Sequence, residues 1–296
     1  MMCIFAQTSS TLMNLGPDAA KQPAVPRDAA TVLLLRDAPG GFEVFMVKRS
    51  GLSDVLGEAH VFPGGKIDAA DSSPAMLARI HGVATLDTAA LGEDLPAGRA
   101  AGMFVAAARE TFEEAGVLLA RGSAGELAGD LKTARAQLNA KEPFDAVLAS
   151  INALLDSAAL VPWVRWVTPV MLAKRFDARF FLAAAPAGQE AVHDNYEATH
   201  SEWLKPRDAV MRWEQGGLQL APATFMSLQH LAQFDSIDAA LADARSRRPP
   251  VIQPVGFAAD GVRCLALPGD INHPLGERAI PGPIRLIWNG TKFIPQ

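Results

Sequence analysis

Residues 109–117, Arg109-Glu110-Thr111-Phe112-Glu113-Glu114-Ala115-Gly116-Val117, constrain this chain more than any other stretch. Glu110, Glu113 and Glu114 stand at i, i+3 and i+4, so a helix holds all three carboxylates on one face. Like charges at that spacing repel, and a cation or a solvated surface must relieve them. Ala106, Ala107, Ala108, Phe112 and Ala115 supply an apolar side for packing, and Gly116 is a helix stop. The expected element is a short acidic helix, buried on one side and open on the other. Alone, such a run usually marks a solvated face. Here it is read together with Phe62-Pro63-Gly64-Gly65-Lys66-Ile67-Asp68 as two halves of one site.

These residues resemble the Nudix hydrolases, whose box reads Gly, five residues, an acid, seven residues, then Arg-Glu-x-x-Glu-Glu-x-Gly and an aliphatic residue. Gly65 followed by Asp71 matches the opening, with Asp where Glu is usual, and Arg109 to Val117 match the ending without departure. The middle departs. Asp71 and Arg109 are 38 positions apart where the ordinary box has eight, which makes an insertion of about thirty residues, small in its loop-closure cost. An interrupted box of this kind resembles the peroxisomal coenzyme A diphosphatase branch of the family. The resemblance implies an α/β fold, a Nudix α/β/α sandwich with a mixed β-sheet and helical insertions.

The chain has 296 residues, enough for a large core. A hydrophobic content of 49% with 20% charge is that of an ordinary globular protein. A net charge of −5 argues against a nucleic-acid partner, though not against small phosphorylated ligands met by local cations. Two cysteines, Cys3 and Cys264, make no disulfide framework and point to a reducing compartment. No apolar run approaches a membrane span. The first residues lack the basic region of a secretory signal and the last are Phe293-Ile294-Pro295-Gln296 rather than Ser-Lys-Leu. The expectation is a cytoplasmic protein with no membrane partner, acting on a small phosphorylated metabolite; homodimerisation is left open.

Along the chain, residues 1–26 read as a loosely ordered leader, 27–250 as the Nudix domain and 251–296 as an extension packed on it. Residues 29–36 and 42–49 read as a hairpin whose first strand is buried on both faces. His60-Val61-Phe62 reads as a short strand and Pro63-Gly64-Gly65 as a turn bringing backbone close to a ligand. Residues 72–100 read as the insertion, projecting away from the site, and 125–158 as a second, mostly helical elaboration. Residues 163–169 and 175–183 read as strands, 189–200 as a loop, 221–234 and 236–246 as helices, and the tail as a terminal hairpin.

For chemistry, the resemblance implies Glu110, Glu113 and Glu114 as ligands of Mg²⁺ or Mn²⁺, hard ions that take carboxylates, waters and substrate phosphate. Arg109 would orient a metal-binding glutamate. The general base would be Glu114 or a late-loop acid, for which Glu190, Asp194, Glu197 and Glu202 are candidates and Glu197 best fits the family spacing before Trp203. Gly64, Gly65, Lys66, Lys48 and Arg49 are candidate substrate contacts. His60, His193 and His200 lack spaced partners and read as structural. Arg49-Ser50 and 62–65 match the spacing of an upstream coenzyme A signature, whose internal Arg and Gly are here Asp54 and Glu58. The implied activity is metal-dependent cleavage of a diphosphate in coenzyme A or acyl-coenzyme A. ADP-ribose, nucleotide sugars and dinucleoside polyphosphates are alternatives, as is a binding module without turnover.

Overall fold

The computed structural model describes residues 23–50, 58–82, 86, 88–91, 95–123, 127, 129–194 and 198–296. Strands β1 (Arg27–Ala38) and β2 (Gly41–Arg49) form the expected hairpin around Pro39 and Gly40. β3 (His60–Val61) pairs with β2, and β4 (Gly64–Lys66) pairs with the first half of β1, Ala30 opposite Gly65. Helix α1 (Pro74–Leu77) lies within the insertion, and α2 (Ala97–Ala115) carries the three glutamates. β5 (Ala120–Gly122), α3 (Leu131–Asn139), α4 (Phe144–Ser150) and β6 (Ala153–Leu155) form a unit closed by β5–β6 pairing.

β7 (Val161–Val167), β8 (Phe176–Ala184) and β9 (Ala198–Leu204) precede helices α5 (Pro206–Glu214), α6 (Pro222–Leu231) and α7 (Ile237–Ser246). β10 (Val251–Ile252) ends the main sheet, and β11 (Val255–Ala259), β12 (Val262–Ala266), β13 (Arg285–Trp288) and β14 (Phe293–Pro295) form a separate antiparallel meander. The main sheet has eight strands in the order β10-β7-β8-β1-β2-β3, with β4 on β1 and β9 on β2. It is mixed, since β1 and β8, like β7 and β10, run parallel.

β1 alternates between two cores because side chains on a strand have a period of two. Leu33 and Leu35, with Val44, Met46 and Leu182, pack beneath α5, α6 and α7. Val32 and Leu34, with Phe45, Val47 and Phe181, pack beneath α2, α3 and α4. The result is an α/β/α sandwich, and the stretch of β1 buried on both faces, Ala29 to Leu35, is apolar apart from Thr31. The 175–181 stretch adds a charged tie. Arg165 forks onto Asp177 at 2.7 and 2.6 Å, Arg179 reaches Asp28 at 2.9 Å, and Arg99 in the first turn of α2 reaches the same Asp28 at 2.7 Å.

Several elements differ from the sequence reading. Gly64 and Gly65 lie in a strand rather than a turn, and neither has positive φ. The acidic helix is not short: it begins at Ala97, taking in residues assigned to the insertion. The other described residues of the insertion do not project away as a unit. Met76, Ile80 and Leu91 are buried in the α2 core, and Ile80 bridges Leu155. Leu154 and Leu155 are strand, not helix, because pairing with β5 satisfies their backbone. Residues 198–200 are not loop but the start of β9. The tail is five strands instead of a hairpin, β10 on the main sheet and four in the meander, with Leu265, Leu267, Ile280 and Leu286 entering the α5–α7 core. Among the described residues, no helix is long and apolar enough to cross a membrane.

Candidate active site

The two halves of the interrupted box meet through one buried ion pair. Asp71 sits in a short 3-10 turn after β4 and is only 2% exposed. Arg109 donates to it from Nε to Oδ1 at 2.8 Å and from Nη2 to Oδ2 at 2.9 Å. Arg109 also donates from Nη1 to Glu110 Oε1 at 2.8 Å and from Nη2 to the Lys66 carbonyl at 3.0 Å. A planar guanidinium held by four such bonds is pinned, and it holds the Glu110 carboxylate in turn. Glu113 lies further off, at 3.6 Å from Nη1.

The glycine pair has a steric reason. A Cβ on Gly64 would stand 2.5 Å from the Ala30 carbonyl oxygen, and one on Gly65 would stand 1.9 Å from Glu110 Oε1. Glycine therefore lets β4 lie against both β1 and α2. The Gly64 N–H donates to Glu114 Oε2 at 2.9 Å, which fixes the third carboxylate against the strand. Gly65→Ala should displace Glu110 and cost more in activity than in stability. We expect at least a tenfold loss of kcat/KM beside a destabilisation of about 1–3 kcal/mol, checked by kinetics and urea unfolding of one preparation.

The C-terminus of α2 is also clamped. Gly116 adopts φ +73, and its N–H bonds the Phe112 carbonyl at 3.0 Å. Arg135 of α3 donates to the helix-end carbonyls of Glu113 and Glu114 at 3.0 Å. This contact uses both helix-end acceptors and the negative end of the helix dipole. Gln189 bonds both the N–H and the carbonyl of Leu118, at 2.8 and 3.0 Å, and Val192 N–H bonds the Ala115 carbonyl. The 189–194 segment is thereby drawn to the end of the acidic helix.

These contacts shape a cleft of about 130 Å³ lined by Lys66, Asp68, Arg109, Glu110, Glu113, Glu114, Lys141 and Asp194. Of the late-loop acids, Asp194 is in this lining, while Glu197 lies outside the described residues. Glu190 is exposed. Glu202 is opposite Met46 in register, so it points to the sheet face away from α2, where Arg212 holds it at 2.6 Å and His60 stands 3.3 Å away. Lys66 reaches the cleft. Lys48 does not line it and is paired with Glu58, and Arg49 is buried beside the sheet edge. Glu58 has φ +72, so where the coenzyme A signature has Gly the backbone keeps a glycine-like conformation. Asp54 lies outside the described residues. Arg135 and Lys141 carry no signal in the sequence, and Asp194 is there one of four late-loop candidates; a lone acid or base in a polar segment carries no spacing signal.

Burial pushes the Glu110 carboxyl up to about 7, opposed by the Arg109 charge and reinforced by Glu113. The folded protein thus keeps a proton that the unfolded chain releases at its ordinary 4.5. Stability from this group is complete below about 4.5 and lost as pH rises through about 7. The thermal midpoint of the protein in chelator should fall across that window, and Glu110→Gln should flatten the fall. A midpoint that climbs instead would count against this placement of Glu110.

The donor set is oxygen only and open on one side, which suits a hard divalent ion that keeps part of its water shell. Among the described residues no group of three or more His, Cys, Asp and Glu side chains stands in a metal-holding arrangement. Glu110 is turned to Arg109, and Glu113 to Lys141 at 2.6 Å. An ion bound by one or two carboxylates plus substrate phosphate needs no closed protein cage, so the residues fit such an ion in type.

Relatives give the fold and site a context. The chain is 29% identical over 306 residues to acyl-coenzyme A diphosphatase NUDT19 of Gallus gallus, covering 84% of this chain and 80% of that protein. It is 28% identical over 304 residues to the protein of the same name from Homo sapiens, with 86% and 76% covered. A crystal structure of a Nudix hydrolase from Alicyclobacillus acidocaldarius superposes with a TM-score of 0.63 at 27% identity, covering 74% of this chain and 96% of that one. The family model described as the NUDT19 Nudix domain matches residues 19–231, which include β1, the glycine pair, Asp71 and the whole acidic helix. The chain belongs to the Nudix family, in its NUDT19 branch.

Proposed function

We propose that this protein is a divalent-metal-dependent hydrolase that cleaves the diphosphate of coenzyme A or acyl-coenzyme A, working in the cytoplasm with Mg²⁺ or Mn²⁺. The observation that carries the reading is the convergence of Glu110, Glu113 and Glu114 in one cleft, with the Gly64-Gly65 strand against Glu110 and Glu114, built on an Arg109–Asp71 pair that spans the insertion. Support for the substrate comes from the names of the relatives, at 28–29% identity over most of the chain. The Arg49-Ser50 spacing to 62–65 is consistent with it.

Glu110, Glu113 and Glu114 would hold the ion. When bound, a divalent ion supplies charge neutralisation on the diphosphate and activation of a water for in-line attack at phosphorus. Arg109 orients Glu110, and its own position is set by Asp71. Lys66, at the cleft edge, meets a phosphate oxygen. The proton of the attacking water goes to a cleft carboxylate. Among the described residues, Glu114, fixed by Gly64 N–H, and Asp194 are the candidates in the cleft; Glu197, which fits the family spacing, stands beside them as a third.

The test is hydrolysis of a panel of coenzyme A, an acyl-coenzyme A, ADP-ribose, a nucleotide sugar and a dinucleoside polyphosphate with Mg²⁺ or Mn²⁺. The expected result is highest kcat/KM for the coenzyme A compounds, with adenosine 3′,5′-bisphosphate and a 4′-phosphopantetheine as products. Preference for ADP-ribose would overturn the substrate, and no turnover with any member would overturn the hydrolase reading.

A further inference from the structure

The segment between β5 and β6 brings a second cation to the cleft besides clamping α2. Lys141 follows α3 by two residues, and its Nζ lies 2.6 Å from Glu113 Oε1. Its backbone has φ +69, a conformation that disfavours side chains other than glycine. That turn is held by Lys141 N–H to the Leu138 carbonyl at 2.8 Å and Glu142 N–H to Gln137 at 3.1 Å. The base of the same helix is anchored to α2 itself, because Arg135 bonds the carbonyls of Glu113 and Glu114. Two cations six residues apart thus tie this segment to the glutamate end of α2, Arg135 through the backbone of Glu113 and Glu114 and Lys141 through the side chain of Glu113.

The charge balance of the cleft gives the second cation a purpose. Its lining carries five carboxylates against three cations, so a diphosphate would meet repulsion. Arg109 cannot turn toward a substrate without breaking four hydrogen bonds, to Asp71, Glu110 and the Lys66 carbonyl. Lys141 can: its side chain is 80% exposed and its ammonium is a point charge on a flexible stem.

We infer that Lys141, at the end of α3 in the helical segment, is a phosphate-binding residue of this active site. It neutralises Glu113 in the metal-free protein and transfers to a phosphate oxygen of the substrate once a divalent ion takes up the Glu113 charge. The inference rests on the hydrolase reading for its substrate but not for its binding tests. No covalent step is involved; one ion pair is exchanged for another.

Two consequences of opposite sign follow for Lys141→Met in the full chain. Removing a cation that competes for Glu113 should tighten Mn²⁺ binding to the free protein about threefold or more, read by electron paramagnetic resonance. Removing a phosphate contact should weaken methylenebisphosphonate binding to the Mn²⁺-loaded protein about tenfold, read by calorimetry. With coenzyme A the loss should fall on KM rather than kcat, and Lys141→Arg should recover most of it. Unchanged Mn²⁺ and bisphosphonate affinities in a folded Lys141→Met would overturn the inference even if the wild type hydrolyses coenzyme A well. So would weakening of both affinities together with a lowered thermal midpoint, the mark of a merely structural lysine. A wild type that binds bisphosphonate through Lys141 but hydrolyses nothing in the panel would overturn the hydrolase reading and uphold Lys141.

Discussion

Glu114→Gln should lower kcat by about a thousandfold while the protein stays folded. The carboxylate accepts a hydrogen bond from Gly64 N–H at 2.9 Å, and a glutamine oxygen accepts the same bond. The packing of β4 on α2 therefore survives the change. Only the charge is lost, and with it one third of the carboxylate set on the helix face. Since Glu110, Glu113 and Glu114 repel one another at i, i+3 and i+4, the metal-free variant should be as stable as the parent or slightly more so. Steady-state kinetics with Mg²⁺ and a thermal scan in chelator check both halves. Near-normal turnover would remove Glu114 from the metal and base roles together.

Arg109→Ala should destabilise the protein by about 3–5 kcal/mol and abolish detectable hydrolysis. Asp71 is 2% exposed and takes two bonds from Arg109, so truncating the arginine leaves a buried charge with only the Asp68 N–H at 2.8 Å to compensate it. The cost comes chiefly from the stranded partner. Asp71→Ala with Arg109→Ala should consequently be less destabilised than the two single variants added together, as a double-mutant cycle by urea unfolding would show. Activity should not return in the double variant, because Glu110 still lacks its orienting bond. Simple additivity would mean that the two side chains do not act as a pair.

Much of the first layer of this architecture was legible in the residues. The period of two in β1 and the Pro39-Gly40 connection announce a hairpin buried on both sides. The i, i+3, i+4 glutamates place their carboxylates on one helix face whatever surrounds them, and Gly116 marks the stop that the αL conformation at φ +73 realises. The glycine pair was legible as necessary but for the wrong cause. Sequence suggests a turn, whereas the strand needs glycine because Ala30 and Glu110 leave no room for a Cβ, a fact about neighbours 34 and 45 residues away in the chain.

Residue order alone sets whatever depends on neighbours within about one helical turn or one strand: most element types, the buried face, the helix end and the identity of the box residues. Tertiary structure alone decided which distant groups share the cleft. It joined Asp71 to Arg109 across 38 positions, turned Glu202 to the far face of the sheet, and drew Asp194, Arg135 and Lys141 to the end of α2. Local preferences repeat with a fixed period, so they can be read from spacing. Long-range meetings follow from closing many loops at once, each at a cost that grows slowly with length, against apolar burial summed over both faces of the sheet. No spacing in the chain records that sum.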